Sequence, residues 1–561
     1  MFTRFRNLIP ISCAITALFF ILSWSFQPSG FYLQMRWYVD DSFFYYVVAR
    51  NIARGMGSTF DGVNLTNGYQ PLWQLICSCL ALCIQHREKF LHGVNCIQAI
   101  LASTVVYLVV RHWITHCKQP LITLIPLIVL FSYHSFFANL VNGLETVLSL
   151  AMISLIGLRL CGDSREPRDW SPVGLGLLCG MAFLARTDAV FLCLPIAFLI
   201  FLVEAGTLKS RMYRTALFAG SLSIIVIPYL AGNLYFFESL LPISGAVKRE
   251  WANLTVSAEA PLQINWLMRK LQLLAWPLDH PNYYFLLALL GINTLAFSVS
   301  LYLRLWGVAA LAAFPLCKYI GYIFLFHTYA RFHWYYASDY VVALFVIPTI
   351  LSELYRRKNT RLNINTFTRT SAAIFIVAIL YSGWLFKSPQ NALVNLRHHE
   401  TIYKQKLPPY NELQFYRAAA HFINRMKLSQ RIVFAGHNSG VLAYFSRNPF
   451  VNMDGLINGR TRLRYIRMHG WDFLNYLDSQ PYITGYVDCV ADPAYPDYHR
   501  SFVIERGFVE VDIRRLVNER FGSSPTNSLV MFIRPNVARA LSKDKKMSGY
   551  LLTSDQRRAN N

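Results

Sequence analysis

Two adjacent carboxylates, Asp40 and Asp41, open the stretch YVDDSFFYYVVARNIARGMGSTFDGVNLTNGYQPLW, which runs from Tyr38 to Trp73 directly after the first apolar run. Carboxylates where hydrocarbon gives way to water can take a proton from a hydroxyl group. They can equally cap a helix starting near Ser42, where negative charge meets the positive end of the helix dipole. Further along come Asn142-Gly143-Leu144-Glu145, Arg186 with Asp188, Lys248, and Arg331 with His333. Each also has a structural reading. Glu145 sits where an acid favours the start of a helix, and Arg186 and Asp188, two residues apart, suit an ion pair. Arg331 lies beside Trp334, Tyr335 and Tyr336, which resemble an interfacial aromatic belt with a snorkelling arginine.

The elements that must position these residues follow from the apolar pattern. The chain has 561 residues, 54% of them hydrophobic, a mean hydropathy of +0.33, and repeated apolar runs, which mark a polytopic α-helical membrane protein. Its formal charge of +23 would suggest nucleic acid in a soluble protein. Here Lys and Arg gather in short loops beside apolar spans, the positive-inside pattern, and no nucleic acid is needed as a partner. Of eleven cysteines only Cys489 falls in the polar C-terminal part, which excludes a disulfide framework there. Cys77, Cys79 and Cys83 lack a completing ligand and read as packing residues.

Arg4 and Arg6 set the start of an uncleaved first span, about Leu8 to Phe26, in the cytoplasm, so the Asp40/Asp41 loop (27–92) lies outside. Within that loop Ser42 to Arg54 is helix-compatible, Gly55 and Gly57 stop it, and Pro71 opens the apolar run Leu72 to Ile84. That run is too short to cross a hydrocarbon core of about 30 Å and should lie in the outer interface. Spans then follow near Val94 to Val110, Leu121 to Tyr133, Leu144 to Leu160 and Val173 to Leu184, with a sixth returning to KSRMYR. A seventh near Ala216 to Leu230 leads to an outer loop from about Asn233 to His280, an eighth returns to Arg304, and a ninth covers Leu305 to Phe326. A tenth returns to LYRRKNTR, and a last, Ala372 to Phe386, leaves everything after Lys387 outside. On this eleven-span parity the basic loops fall inside and the mixed acid, base and aromatic clusters fall outside. Ionisable residues converging at one membrane face point to a wet cavity or a site.

From 388 to 540 the chain reads as a small extracytoplasmic α/β domain. It has a strand at Ile432 to Ala435, a turn at Gly436, a helix from Ser439, a second strand ending at Asp454-Gly455, and a third in YITGYVDCV. A lone Gly after the first strand is no dinucleotide fingerprint. Residues 541–561 are charged, apolar-poor and expected to be loose.

The acidic pair after the first span, ARNxxxGxG, and TNGYQPLW entering a short apolar helix resemble the GT-C superfamily of membrane glycosyltransferases. Within it they are similar to bacterial arabinofuranosyl- and aminoarabinosyl-transferases. The resemblance continues in order with NGLET, ARTDA, LPISGAVK, RFHWYY, GHNSGVLAYFS and VNMDG, over most of the chain. LPISGAVK departs from the LPNTxxxK form of such proteins at Ile243 and Ser244.

The resemblance implies residues 1–387 as a catalytic module in the inner (plasma) membrane and a monosaccharide donor, a pentose such as arabinose included, carried on polyprenyl phosphate. The acceptor would be an envelope glycan, lipid or protein, with membrane lipids around the chain and the transfer on the outer face. It implies Asp41, counted back from Ala49-Arg50-Asn51, as the base, with Asp40 as orienting partner or alternative. Departing phosphate needs cations, and lysine as a point charge or arginine as a bidentate fork suits it. Lys248 comes first, then Arg331 and His333, with Arg186 and Asp188 supporting and Asn67 and Tyr69 placed by TNGYQ. Glu145 would steer the acceptor or hold a divalent cation with Asp41; metal use stays open. A flippase for lipid-linked sugars or a non-catalytic envelope assembly protein are the alternatives. Neither midplane charge nor internal symmetry favours the flippase, and an assembly protein has no need of the acid pair.

Overall fold

The computed structural model describes residues 2–34, 38–116, 134–161, 171–203, 207–258, 281–326, 330, 333–357, 412–426, 432–470, 473–489, 506–513, 529–544 and 547–551. Among these residues five helices are long and apolar enough to cross a membrane. They contain Leu8–Ser25, Arg87–His116, Leu208–Phe237, Trp306–Leu325 and Ala337–Leu354. The expected spans at Leu144 to Leu160 and Val173 to Leu184, and the sixth, are the helices Thr146–Cys161, Pro172–Ala185 and Val190–Val203. At 1.5 Å per residue each reaches only about 21 to 24 Å, short of a full hydrocarbon core. The expected spans at Leu121 to Tyr133 and Ala372 to Phe386 lie outside the described residues.

The helix Pro71–Cys83 has the length expected for the interfacial run, and Pro71 at its first position needs no N–H partner. It buries Trp73, Gln74, Cys77, Ser78 and Ala81, a stripe at helical spacing, and exposes Leu75 and Leu82. Cys77 is buried while Cys79 and Cys83 are exposed, so the three thiols do not converge. The stripe packs on the acid-bearing helix Asp40–Ala53. That helix is buried on nearly all sides, the state of a helix enclosed by protein. Gly55 and Gly57, both at positive φ, end its run.

The C-terminal part holds a five-stranded sheet of order β2-β1-β3-β5-β4. The strands are β1 (Val433–Gly436), β2 (Phe450–Asn452), β3 (Ile483–Cys489), β4 (Val509–Glu510) and β5 (Leu529–Ile533). β1 runs parallel to β2 and β3, and β5 antiparallel to β3 and β4. The helix Gly440–Phe445 links β1 to β2, the expected strand-helix-strand step. Side-chain alternation sends Ala435, Tyr486 and Phe532 into a core of the sheet's own, and Phe434, Val487 and Met531 into the core shared with the helices. Both faces of the sheet are therefore covered, one of them by the rest of the protein.

Candidate active site

Asp40 and Asp41 leave the helix in different directions. Asp40 is buried, and its two oxygens accept from the backbone N–H groups of Gly440 (2.8 Å) and Val441 (2.9 Å). It therefore caps the start of the helix Gly440–Phe445 in the C-terminal part, rather than its own helix. Gly440 permits the approach, since a Cβ there would collide with the Asp40 carbonyl oxygen. Burial pushes the Asp40 carboxyl up to about 8 against the pull of the two N–H donors. Asp40 is not among the residues that line the cavity holding Asp41.

Asp41 is half-buried, its carboxyl has no hydrogen bond to another described residue, and it lines a cavity of about 430 Å³. The same cavity is lined by Tyr69, Glu145, Arg186, Asp188 and Lys248, so five of the anticipated residues besides Asp41 meet there. Glu145 arrives through Gly143, whose φ is +81°. A Cβ at Gly143 would sit 2.5 Å from Tyr46 Oη and 2.7 Å from Ser42 Cβ. Its carbonyl accepts from Tyr46 Oη (2.9 Å) and Trp73 Nε1 (3.1 Å), and Asn142 Oδ1 accepts from Leu144 N (2.9 Å). The tight turn is thus bonded to the acid helix and to the helix Pro71–Cys83.

A chain of ion pairs and hydrogen bonds runs along one wall. Arg186 joins Glu145 Oε1 (3.0 Å) and Asp188 Oδ2 (3.0 Å), giving the ion pair expected of Arg186 and Asp188 and a second to Glu145. Tyr45 Oη donates to Glu145 Oε2 (2.8 Å) and accepts from Gln70 N (3.0 Å), while Tyr322 Oη donates to Asp188. Both Glu145 oxygens are therefore engaged. Among the described residues no three His, Cys, Asp or Glu side chains form a metal-binding group. Of the Asp41/Glu145 pair, Glu145 is already bonded to Arg186 and Tyr45, whereas the Asp41 carboxyl is not bonded to a described residue.

On the other wall Lys248 Nζ donates to Tyr335 Oη (2.5 Å), and the Tyr335 ring lies 5.1 Å from Lys248 Nζ and 4.9 Å from the Arg186 guanidinium. Lys248 and its neighbour Arg249 both line the cavity, and neither forms an ion pair with a described carboxylate. Asn67 lies behind the wall: its Oδ1 accepts from Ile243 N (3.0 Å) and its Nδ2 donates to Asn233 (3.1 Å). It thereby fixes the start of the helix that carries Lys248. Arg331 lies outside the described residues. His333 begins the short helix His333–Tyr335.

The electrostatics distinguish the two polar walls. Burial raises the Asp41 carboxyl above the ordinary aspartate range, Lys248 pulls it down, and Glu145 pushes it up. Burial works against the charge on Lys248, but Tyr335 and Asp41 outweigh it and raise its pKa, so the amine stays cationic. Much of the remaining lining is apolar, with Phe183, Val226, Leu230, Leu240, Leu241 and Phe326, and Leu456 of the C-terminal part also lines it. The arrangement offers one poised carboxylate and two unpaired cations beside an apolar surface. No protein-family model matches the chain, and no curated protein matches it.

Several lining residues have no role in the sequence reading: Tyr45, Gln70, Arg249 and Tyr322. Trp334, Tyr335 and Tyr336, read as a belt, are buried, and Trp334 and Tyr335 line the cavity. Arg249, adjacent to Lys248 in the helix Ile243–Ala258, was the one findable from charge alone.

Proposed function

We propose that the chain is a membrane glycosyltransferase of GT-C type. It moves a monosaccharide from a polyprenyl-phosphate donor to a hydroxyl of a cell-envelope glycan, lipid or protein at the outer face of a bacterial inner membrane. One observation carries this reading: Asp41 and Lys248 share a cavity whose other walls are an ion-paired network and an apolar surface. An isoprenoid-linked sugar phosphate is amphiphilic in the same sense.

In the proposed step the acceptor oxygen attacks the anomeric carbon from the side opposite the phosphate. The bond from that carbon to the phosphate oxygen breaks, its electron pair leaves on polyprenyl phosphate, and the acceptor proton passes to Asp41. The configuration inverts and no covalent intermediate forms. Lys248 and Arg249 stabilise the negative charge gathering on the leaving phosphate. The Arg186 network holds Glu145 as an acceptor for hydroxyls of the incoming sugar or acceptor. Eleven spans, a cytoplasmic N-terminus and an outer C-terminal domain complete the proposal, which puts the acid loop and the sheet in one compartment. The test is transfer of labelled sugar from a synthetic polyprenyl-phosphate donor to envelope fractions by the reconstituted protein. Absence of transfer across a panel of pentose and hexose donors would set the reading aside.

A further inference from the structure

Four arginines play no part in that cavity. Arg50 and Arg54 at the far end of the acid helix, Arg87 at the start of the helix Arg87–His116, and Arg447 in the turn before β2 line a separate cleft of about 200 Å³. It lies where the outer loop meets the C-terminal part. Three chain segments thus bring four guanidiniums together, and none of the four pairs with a carboxylate among the described residues. Asp61 also lines the cleft, but its oxygens are occupied by Val63 N (2.9 Å), Asn64 N (2.7 Å) and Asn64 Nδ2 (2.6 Å).

The inner two arginines are held by neutral partners. Arg50 is buried, donates to the Gln85 carbonyl (2.9 Å) and lies 5.7 Å from the Tyr444 ring. Arg87 donates to the carbonyls of Phe445 (2.6 Å) and Ser446 (2.7 Å). These bonds fix the guanidiniums without cancelling their charge. Arg54 and Arg447 are exposed at the rim. Guanidiniums stay charged in proteins, so the four outnumber the single Asp61 carboxylate and the cleft keeps a net positive charge. Burial lowers the Arg50 pKa and neighbouring Arg54 lowers it further, the response expected where like charges crowd.

We propose that this cleft binds a phosphate-type oxyanion, the phosphate or diphosphate of an ester, with Arg50 and Arg87 as its fixed floor and Arg54 and Arg447 as its grip. Planar forks from several directions match the tetrahedral oxygens of phosphate and supply charge-assisted hydrogen bonds. The site is distinct from the transfer cavity: Asp41 and Arg54 are about 20 Å apart at 1.5 Å per residue. Its binding can therefore be measured whether or not the chain transfers sugars. Because the arginines come from both sides of the junction, the ligand also ties the outer loop to the C-terminal part.

The test uses the full chain in two arms. Inorganic pyrophosphate is titrated calorimetrically into the detergent-solubilised protein. In parallel, nanodiscs of phosphatidylcholine with or without phosphatidic acid are analysed by native mass spectrometry for retained lipid. Saturable pyrophosphate binding that falls by at least about tenfold in the Arg54→Gln/Arg447→Gln variant supports the site and points to a soluble ester. Retention of phosphatidic acid by the wild type and not by the variant, without pyrophosphate binding, supports it with a lipid head group as the source. A wild type that binds neither probe overturns the proposal. So does a double variant with an unchanged unfolding temperature that binds as the wild type does; if it fails to fold, Arg54→Gln alone is judged by the same criteria.

Discussion

Asp40 and Asp41 are neighbours in sequence with opposite surroundings, and substitution should separate them. Asp40→Asn leaves one of the two N–H donors of Gly440 and Val441 facing an amide NH₂, which should cost about 1 to 3 kcal/mol. Thermal unfolding of the purified protein should show that loss, with a smaller fall in transfer rate than at Asp41; an unchanged unfolding temperature would contradict the capping role. The acid limb of kcat/KM against pH belongs to Asp41. A base works ionised, and burial raises Asp41, so activity should rise with pH through a midpoint above the ordinary aspartate value of about 3.9. Lys248 pulls that carboxyl down and Glu145 pushes it up. Lys248→Ala should therefore move the limb to higher pH and weaken donor use, and Glu145→Gln should move it lower. Limbs that stay in place in both variants would remove Asp41 as the titrating group. Neither the capping by Asp40 nor the Arg186 bond to Glu145 was legible in the sequence, because nothing local records partners drawn from remote segments.

At the scale of elements, the turn at Asn142 to Glu145 decides where the carboxylate wall stands. Gly143→Ala would place a methyl group against Tyr46 and Ser42 at a left-handed backbone position, a strain of about 1 to 3 kcal/mol. Lower thermal stability together with slower transfer is expected; a variant normal in both would show that the turn does not set Glu145. The helix Pro71–Cys83 and the strands β1 to β3 were readable because Pro71, the short apolar runs and the Gly436 turn signal locally. β4, two residues long, and the antiparallel β5 carry no comparable signal. Helix lengths were less legible. Apolar runs read as spans form helices as short as Pro172–Ala185, because hydropathy marks the solvent a segment prefers and not where its hydrogen bonding stops.

At the scale of the whole molecule, the acid loop and the C-terminal part meet through Asp40, through Arg87 on the carbonyls of Phe445 and Ser446, and through Leu456 at the cavity. Contact requires a common compartment, and the proposed topology puts that compartment on the outer side. Alkaline phosphatase fused after Lys387 should therefore be active in the periplasm, while a fluorescent reporter lit only in the cytoplasm would contradict the eleven-span arrangement. The class of helical chain was legible from composition. The assembly of the charged residues into one cavity with Tyr45 and Tyr335 was not, since aromatic residues near a span end read equally as a lipid-facing belt. The most direct measurement is the rate of labelled-sugar transfer by reconstituted Asp41→Asn beside the wild type. Asparagine keeps the shape and removes the basicity, so the account predicts a fall of about 10² to 10⁴ at unchanged abundance and unfolding temperature. Turnover within a few fold of the wild type would contradict it.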